Sequence, residues 1–364
     1  MDVQLPDKII KEFISPVNQS VNDLSEVLID KIGNGLINLS WKVQQKGVLP
    51  IFIQQINSTV FPDPAAIQHN YMLLWKYLQA DKTVVTMPEP LYTKRGDTLY
   101  MDEAGGYWRA FAFIENSITC NIAHSPEQAR QTARTFARFT ALLSGFDTSL
   151  LKEVIPGFHD LAYRFNQFEE ALRKAAPDRK EKAAGLSDGL LHRKHYKGFF
   201  ETMKSSGRYP KRVMHHDAKI SNVLFHKDTG GVICPVDFDT SMPGYYFSDL
   251  GDMIRSMSST EEEQSNKLEQ VIIRKEVYDN IIDGYLEPLD ALLTDEEKAN
   301  IHYAGPLMIC MQALRFLADY LNGDKYYRTE YAEQNFDRAM NQFILLQQLE
   351  KFLSKHYNFH YAGN

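Results

Sequence analysis

Cysteine is scarce in this chain of 364 residues: Cys120, Cys234 and Cys310 are odd in number and far apart. They supply neither a disulfide framework nor a zinc set, which suits a reduced, cytoplasmic protein with buried thiols. Long apolar runs are also missing. The longest fall far short of a membrane span, and Met1-Asp2-Val3-Gln4-Leu5-Pro6 shows no basic region followed by an apolar core, so neither a membrane segment nor a secretory signal is expected. Excess positive charge is absent as well. The net charge of −7 argues against nucleic acid as a partner. No internal repeat or low-complexity tail is visible. What remains is an ordinary globular balance, 44% apolar and 24% charged, in a chain long enough for two lobes with a shared cleft.

The stretch that organises the chain is Val213-Met214-His215-His216-Asp217-Ala218-Lys219-Ile220-Ser221-Asn222-Val223-Leu224-Phe225, continued to Val236-Asp237-Phe238-Asp239. Between its halves, Lys227-Asp228-Thr229-Gly230-Gly231 joins two apolar runs and predicts a β-hairpin. Phosphoryl transfer needs a carboxylate that orients the attacking hydroxyl, and oxygen ligands for Mg²⁺. The order H-x-D-x-K-x-x-N, then an apolar strand ending in Asp, meets both needs. Asp217 is the candidate base. Asn222 and Asp237 are the candidate metal ligands, and Lys219 is placed to offset charge on the transferred phosphate. His215 is expected to hold the loop, and Asp239 to act either beside the metal ligands or as a second one.

These residues resemble the aminoglycoside phosphotransferase and choline kinase family. Within it the chain resembles the N-acetylhexosamine 1-kinases, through Gly33-Asn34-Gly35-Leu36-Ile37-Asn38, Phe52-Ile53-Gln54-Gln55-Ile56-Asn57, Leu143-Ser144-Gly145-Phe146-Asp147, Phe158-His159-Asp160, Asp239-Thr240-Ser241-Met242-Pro243-Gly244 and Arg315-Phe316-Leu317-Ala318-Asp319-Tyr320-Leu321. The resemblance implies an α+β, two-lobed, protein-kinase-like fold, a soluble enzyme using ATP and Mg²⁺, and phosphorylation of the anomeric hydroxyl of N-acetylglucosamine or N-acetylgalactosamine. Residues 1–115 would form the small β-rich nucleotide-binding lobe and residues 116–364 the larger helical lobe. It further implies adenine contacts along Phe113, Ile114 and Glu115, and sugar contacts from Asp217, Leu36, Arg315 and Tyr326. The related enzymes carry a His at the position of Leu36 and an aromatic at that of Ser256. Other acceptors therefore stay open: N-acetylmuramic acid, another sugar, choline or an aminoglycoside, as does a catalytically silent binding protein.

Taken in order, residues 7–14 have helical spacing, and runs at 27–29, 37–43 and 48–56 read as strands. Gly33 and Gly35 would let backbone N–H groups approach phosphates. The third strand lacks the Lys that protein kinases place there. Gln54 is its nearest equivalent by parity, and the following helix, residues 64–78, offers no Glu partner. Residues 107–115 read as a strand leaving the small lobe. From Pro126 onward the pattern is helical apart from the hairpin, with residues 175–184 a solvated connection or helix face. Asp249 is expected to cap a helix starting near Leu250, and Asp252 to tie that helix to the catalytic loop. Arg315 and Asp319 lie four apart, the spacing of an intrahelical ion pair.

Overall fold

The fold is known from a computed structural model, which describes residues 4–17, 24, 26–32, 37–79 and 87–359. The chain divides into two units, one of Met1–Ile118, Ser149–Ile155 and Leu224–Ser241, the other of Thr119–Thr148, Pro156–Val223 and Met242–Asn364. In the first, helix α1 (Asp7–Val17) precedes strands β1 (Val27–Lys31), β2 (Leu39–Gln45) and β3 (Ile51–Ile56), helix α2 (Pro64–Leu78), and strands β4 (Pro90–Leu91), β5 (Tyr100–Met101), β6 (Tyr107–Ala112) and β7 (Ser117–Ile118). The main sheet is antiparallel in the order β1-β2-β3-β6-β4, with β5 also on β6. Alternation sorts its faces. Trp41, Val43, Ile51, Ile53, Trp108 and Ala110 point to one side and pack against Ile9, Ile10, Phe13 and Ile14 of α1. The other side carries Phe52 beside Phe111, with Tyr71 of α2 4.9 Å from the Phe111 ring. Asp63 starts α2 by accepting the Ala66 N–H at 2.9 Å, with Pro64 at the first helical position.

The second unit is mainly helical. It holds α3 (Pro126–Leu142), α4 (Leu161–Lys174), α5 (Pro177–Lys182), α6 (Ala184–Leu191), α7 (Lys194–Ser205) and the short strand β8 (Arg212–Met214). The chain then returns to the first unit for the hairpin β9 (Val223–His226) and β10 (Val232–Pro235), which joins β7 in a second sheet of order β10-β9-β7. Gly230, at φ +69°, closes this turn: its N–H reaches the His226 carbonyl at 2.8 Å, and the His226 N–H reaches Gly231 at 2.7 Å. Strand β11 (Met242–Gly244) pairs with β8, and α8 (Phe247–Met257), α9 (Lys275–Leu289), α10 (Asp295–Ala299), α11 (Ala304–Leu321) and α12 (Gln334–Tyr357) complete the second unit. Helix α11 is apolar nearly all round, and α4, α8 and α12 accordingly surround it. No helix among the described residues is long and apolar enough to cross a membrane.

Most expected elements form within a few residues of their expected bounds. One differs. The strand expected over 107–115 stops at Ala112: the Phe113 N–H still reaches the carbonyl of its register partner Pro50 at 3.0 Å, but proline has no N–H to return the bond. Residues 175–184 meet the expectation: they contain the short helix α5, which buries none of its residues. Cys234 and Cys310 are buried and Cys120 is half-buried; all three are free thiols.

Helices α3 and α9 pack closely at Gly284, where a β-carbon would run into the Arg130 carbonyl. Gly284→Ala should therefore lower stability by about 1–3 kcal/mol, read as a lower denaturant midpoint, although alanine is the better helix former.

Candidate active site

In the second unit, β8 delivers the chain into His215 and His216, and one carboxylate fixes that delivery. Asp249 accepts the His215 N–H at 2.9 Å and the His216 N–H at 2.7 Å. It lies in the first turn of α8 rather than capping it, since the helix begins at Phe247. Burial pushes its carboxyl up to about 7 against the pull of those two N–H groups. His216 is held in the left-handed region at φ +65°, a conformation that marks a constrained turn in a non-glycine residue. The buried His215 ring accepts the Asp217 N–H at 3.3 Å and meets the edge of Phe136.

This geometry brings Asp217, Lys219 and Asn222 together. Asn222 Nδ2 donates to Asp217 Oδ2 at 2.8 Å and to the Asp217 carbonyl at 2.9 Å, and Lys219 Nζ sits 2.9 Å from the same Oδ2. The other carboxylate oxygen, Oδ1, has no hydrogen-bond partner among the described residues. Burial pushes the Asp217 carboxyl up, yet the Lys219 ammonium, with the His215 ring and the Asn222 amide, outweighs burial and holds it below the usual range. It is thus an ionised acceptor at neutral pH. The tie from α8 to this loop is made by Asp249; Asp252 instead pairs with Arg255 at 2.7 Å on its own helix. Arg255 also pairs with Glu263, and Ser256 bonds back to the Asp252 carbonyl at 2.8 Å.

In the first unit, Asp237 follows β10 in the left-handed region (φ 65°, ψ 58°) and starts the 3-10 turn Phe238–Thr240. Asp239, two residues on, is fully committed. One oxygen pairs with Arg109, and the other accepts Asn38 Nδ2 at 2.7 Å. Arg109 is the residue that the sequence reading missed. It stands on β6 opposite Gln54, whose Oε1 accepts Arg109 Nε at 3.0 Å, while Gln54 Nε2 donates to Ser40 at 3.1 Å. The buried cation of this unit therefore lies one strand over from the position where Lys was sought. A charged residue inside the apolar run Tyr107–Ala112 was the available signal. Gln54, with both amide ends engaged by the sheet, supports Arg109.

Ile114 and Glu115 lie in the turn between β6 and β7, where the Ile114 carbonyl accepts Ser117 Oγ at 2.6 Å, and Lys42 stands 4.7 Å over the Phe113 ring. Gly33, Gly35 and Leu36 lie outside the described residues. Arg315 and Asp319 do not pair. Both oxygens of Asp319 face the chain after α11, accepting the N–H groups of Lys325 (3.0 Å), Tyr326 (2.8 Å) and Tyr327 (2.9 Å) and the Asn335 amide (3.0 Å). The acid thus shapes the turn that presents Tyr326, which is exposed, and Tyr327.

Among the described residues no cluster of three His, Cys, Asp or Glu forms a ready metal cage. Both donor contacts of Asn222 are made by Nδ2 to Asp217, which leaves its amide oxygen as the end free to face a cation. Asp239 has each of its oxygens engaged, one by Arg109 and the other by Asn38.

Residues 29–290 match the phosphotransferase enzyme family. The fold is similar to that of an aminoglycoside phosphotransferase from Alicyclobacillus acidocaldarius (TM-score 0.61, 13% identity, 98% of each chain). It is also similar to an amicoumacin kinase solved with AMP-PNP and Ca²⁺ (0.56, 13%, 88% of each) and to a choline kinase from Cryptosporidium parvum (0.52, 14%, 93% of each). At these identities the likeness establishes the α+β, protein-kinase-like fold.

Arg109→Met should leave the buried Asp239 charge unmatched and cost about 3–5 kcal/mol, measured by chemical denaturation. The Asp249 carboxyl predicts a pH signature. Its folded-state value lies above the unfolded one of 3.8, so the protonated form favours the folded state, and the group's contribution falls as pH rises from about 4 through 7. Wild-type stability relative to Asp249→Asn should accordingly drop by about 2–3 kcal/mol between pH 5 and pH 8. An unchanged difference would show that Asp249 does not titrate in this window.

Proposed function

Because the chain belongs to the phosphotransferase enzyme family, we propose that it transfers the γ-phosphoryl group of ATP to the anomeric (C1) hydroxyl of an N-acetylhexosamine, N-acetylglucosamine or N-acetylgalactosamine, giving the sugar 1-phosphate and ADP. One observation carries the reading: Asp217 has one oxygen fixed by Asn222 and Lys219 and the other open. A carboxylate held in this way suits a group that orients a hydroxyl and takes its proton as the new P–O bond forms. An anomeric hydroxyl is more acidic than an ordinary alcohol, so orientation counts for more than basicity.

The other residues take roles that follow from their chemistry. Lys219 holds Asp217 ionised and brings positive charge to the transferred phosphate. Asn222 and Asp237 would bind a divalent cation through an amide oxygen and a carboxylate; Mg²⁺ there supplies positive charge to the phosphate oxygens. Arg109 and Asn38 hold Asp239, which fixes the turn beginning at Asp237. The backbone of Phe113, Ile114 and Glu115 is assigned to adenine, the glycine loop at Gly33 and Gly35 to the phosphates, and Leu36, Arg315 and Tyr326 to the sugar. The sugar assignment is supported by the sequence blocks around Asp239 and Arg315 that resemble the N-acetylhexosamine 1-kinases.

The test is ADP release from Mg-ATP with N-acetylglucosamine, N-acetylgalactosamine, glucose, galactose, choline and kanamycin, followed by ³¹P NMR of any product. An N-acetylhexosamine bearing phosphate at C1 is the expected product. Turnover of choline or kanamycin alone would overturn the sugar reading and leave the family membership standing.

A further inference from the structure

Arg164 and Arg315 both contact Phe158 in the second unit, and their partners differ from those of Arg255 on α8. Arg255 is matched by two carboxylates, Asp252 and Glu263. Arg164 and Arg315 are matched by none among the described residues. Arg164 gives Nε (3.2 Å) and Nη2 (3.0 Å) to the Phe158 carbonyl, and Nη1 to Gln167 at 2.7 Å. Among the described residues Arg315 makes one hydrogen bond, from Nη1 to Gln312 at 2.9 Å, and it stands 4.9 Å over the Phe158 ring and 5.6 Å over that of Tyr327. A guanidinium has five N–H donors, so both side chains keep donors to spare, Arg315 most of them. Burial and the charge of Arg315 push Arg164 down to about 10. The Tyr327 hydroxyl is buried with no hydrogen-bond partner among the described residues. Asp319, the acid that helical spacing would offer to Arg315, is spent on the turn after α11.

Two like charges, partly desolvated and without a counter-ion, repel each other at a cost that a bound anion would relieve. The planar fork of each guanidinium suits the oxygens of a carboxylate or phosphate. The cluster also connects to the catalytic loop. His216, beside Asp217, places Nδ1 3.1 Å from His159 Nδ1, and the His159 ring stacks on Phe158 at 4.4 Å, the ring under Arg315. An acceptor whose hydroxyl meets Asp217 thus has this cluster along the same packed run.

We propose that Arg164, Arg315 and Tyr327 form a subsite for an anionic substituent, a carboxylate or a phosphate, on the acceptor. This rests on the sugar-kinase reading above and extends it from the neutral N-acetylhexosamines to derivatives that carry an anionic substituent, which would be the better acceptors. A neutral N-acetylhexosamine would leave the two charges unmatched, whereas an anionic one would bridge them.

The experiment compares kcat/KM for N-acetylglucosamine, N-acetylmuramic acid and N-acetylglucosamine 6-phosphate, on wild type, Arg164→Gln, Arg164→Lys and Arg315→Gln, each checked for folding by its thermal melt. At least one anionic sugar should be preferred over the neutral one by about tenfold or more, mainly through KM, since a charge-assisted hydrogen bond contributes on that scale. Which one is preferred assigns carboxylate or phosphate. The glutamine variants should remove most of the preference, and Arg164→Lys should retain part of it. No preference for either anion, or a preference that survives both glutamine variants, overturns the subsite. If none of the three sugars is phosphorylated, calorimetric titration with the same sugars in the presence of AMP-PNP separates the two readings. Anion binding that is lost in the glutamine variants keeps the subsite and rejects the acceptor hydroxyl. No binding of either anionic sugar rejects the subsite.

Discussion

A single buried carboxylate fixes the loop that carries Asp217, Lys219 and Asn222. Asp249, in the first turn of α8, takes the N–H groups of His215 and His216 on its two oxygens, and the chain leaving β8 can follow only one path. His216 is bent into the left-handed region along that path, the His215 ring is buried under the loop, and Asp217 emerges beside Lys219 and Asn222. The order of dependence runs from packing to chemistry. Helix α11 is buried by its neighbours, it supports α8, and α8 supplies the carboxylate. Strain at His216 is tolerated because the two hydrogen bonds and the buried ring over-determine the turn.

The first unit solves a matching problem with opposite charges. Asp239 is buried and therefore needs a partner, and it receives one from Arg109 across β6 together with the Asn38 amide. Gln54 completes the arrangement by accepting from Arg109 on the neighbouring strand. Protein kinases place a lysine on the strand where this chain has Gln54. Here the buried cation sits one strand further along the sheet, and the glutamine steadies it.

How much of this could be read in the sequence depended on chain separation. Asp217, Lys219 and Asn222 fall within six consecutive residues, so their spacing alone foretold a shared loop. The apolar runs and the glycine turn likewise foretold the hairpin. Arg109 and Asp239 are separated by 130 positions, and their pairing depends on the register that sets Gln54 opposite Arg109. Local pattern carries no register between distant strands. The role of Asp249 was hidden for a different reason: a helix-capping residue and a residue that binds another segment's backbone look the same in sequence. Asp319 misled because helical spacing suggests an ion pair with Arg315, whereas the turn after α11 offers three backbone N–H groups at closer hand. That substitution of partners leaves Arg315 without a carboxylate partner among the described residues.

The account stands on Asp217 as the acceptor of the hydroxyl proton, and Asp217→Asn tests it most directly, with turnover and Mg-ATP affinity measured on the same preparation. Asparagine keeps the size of the side chain and removes the charge. Turnover is expected to fall by about 10²–10³ or more, the scale of losing one stabilising group, while the dissociation constant for Mg-ATP stays within a few-fold of wild type. Near-normal turnover in the variant would contradict the assignment of Asp217.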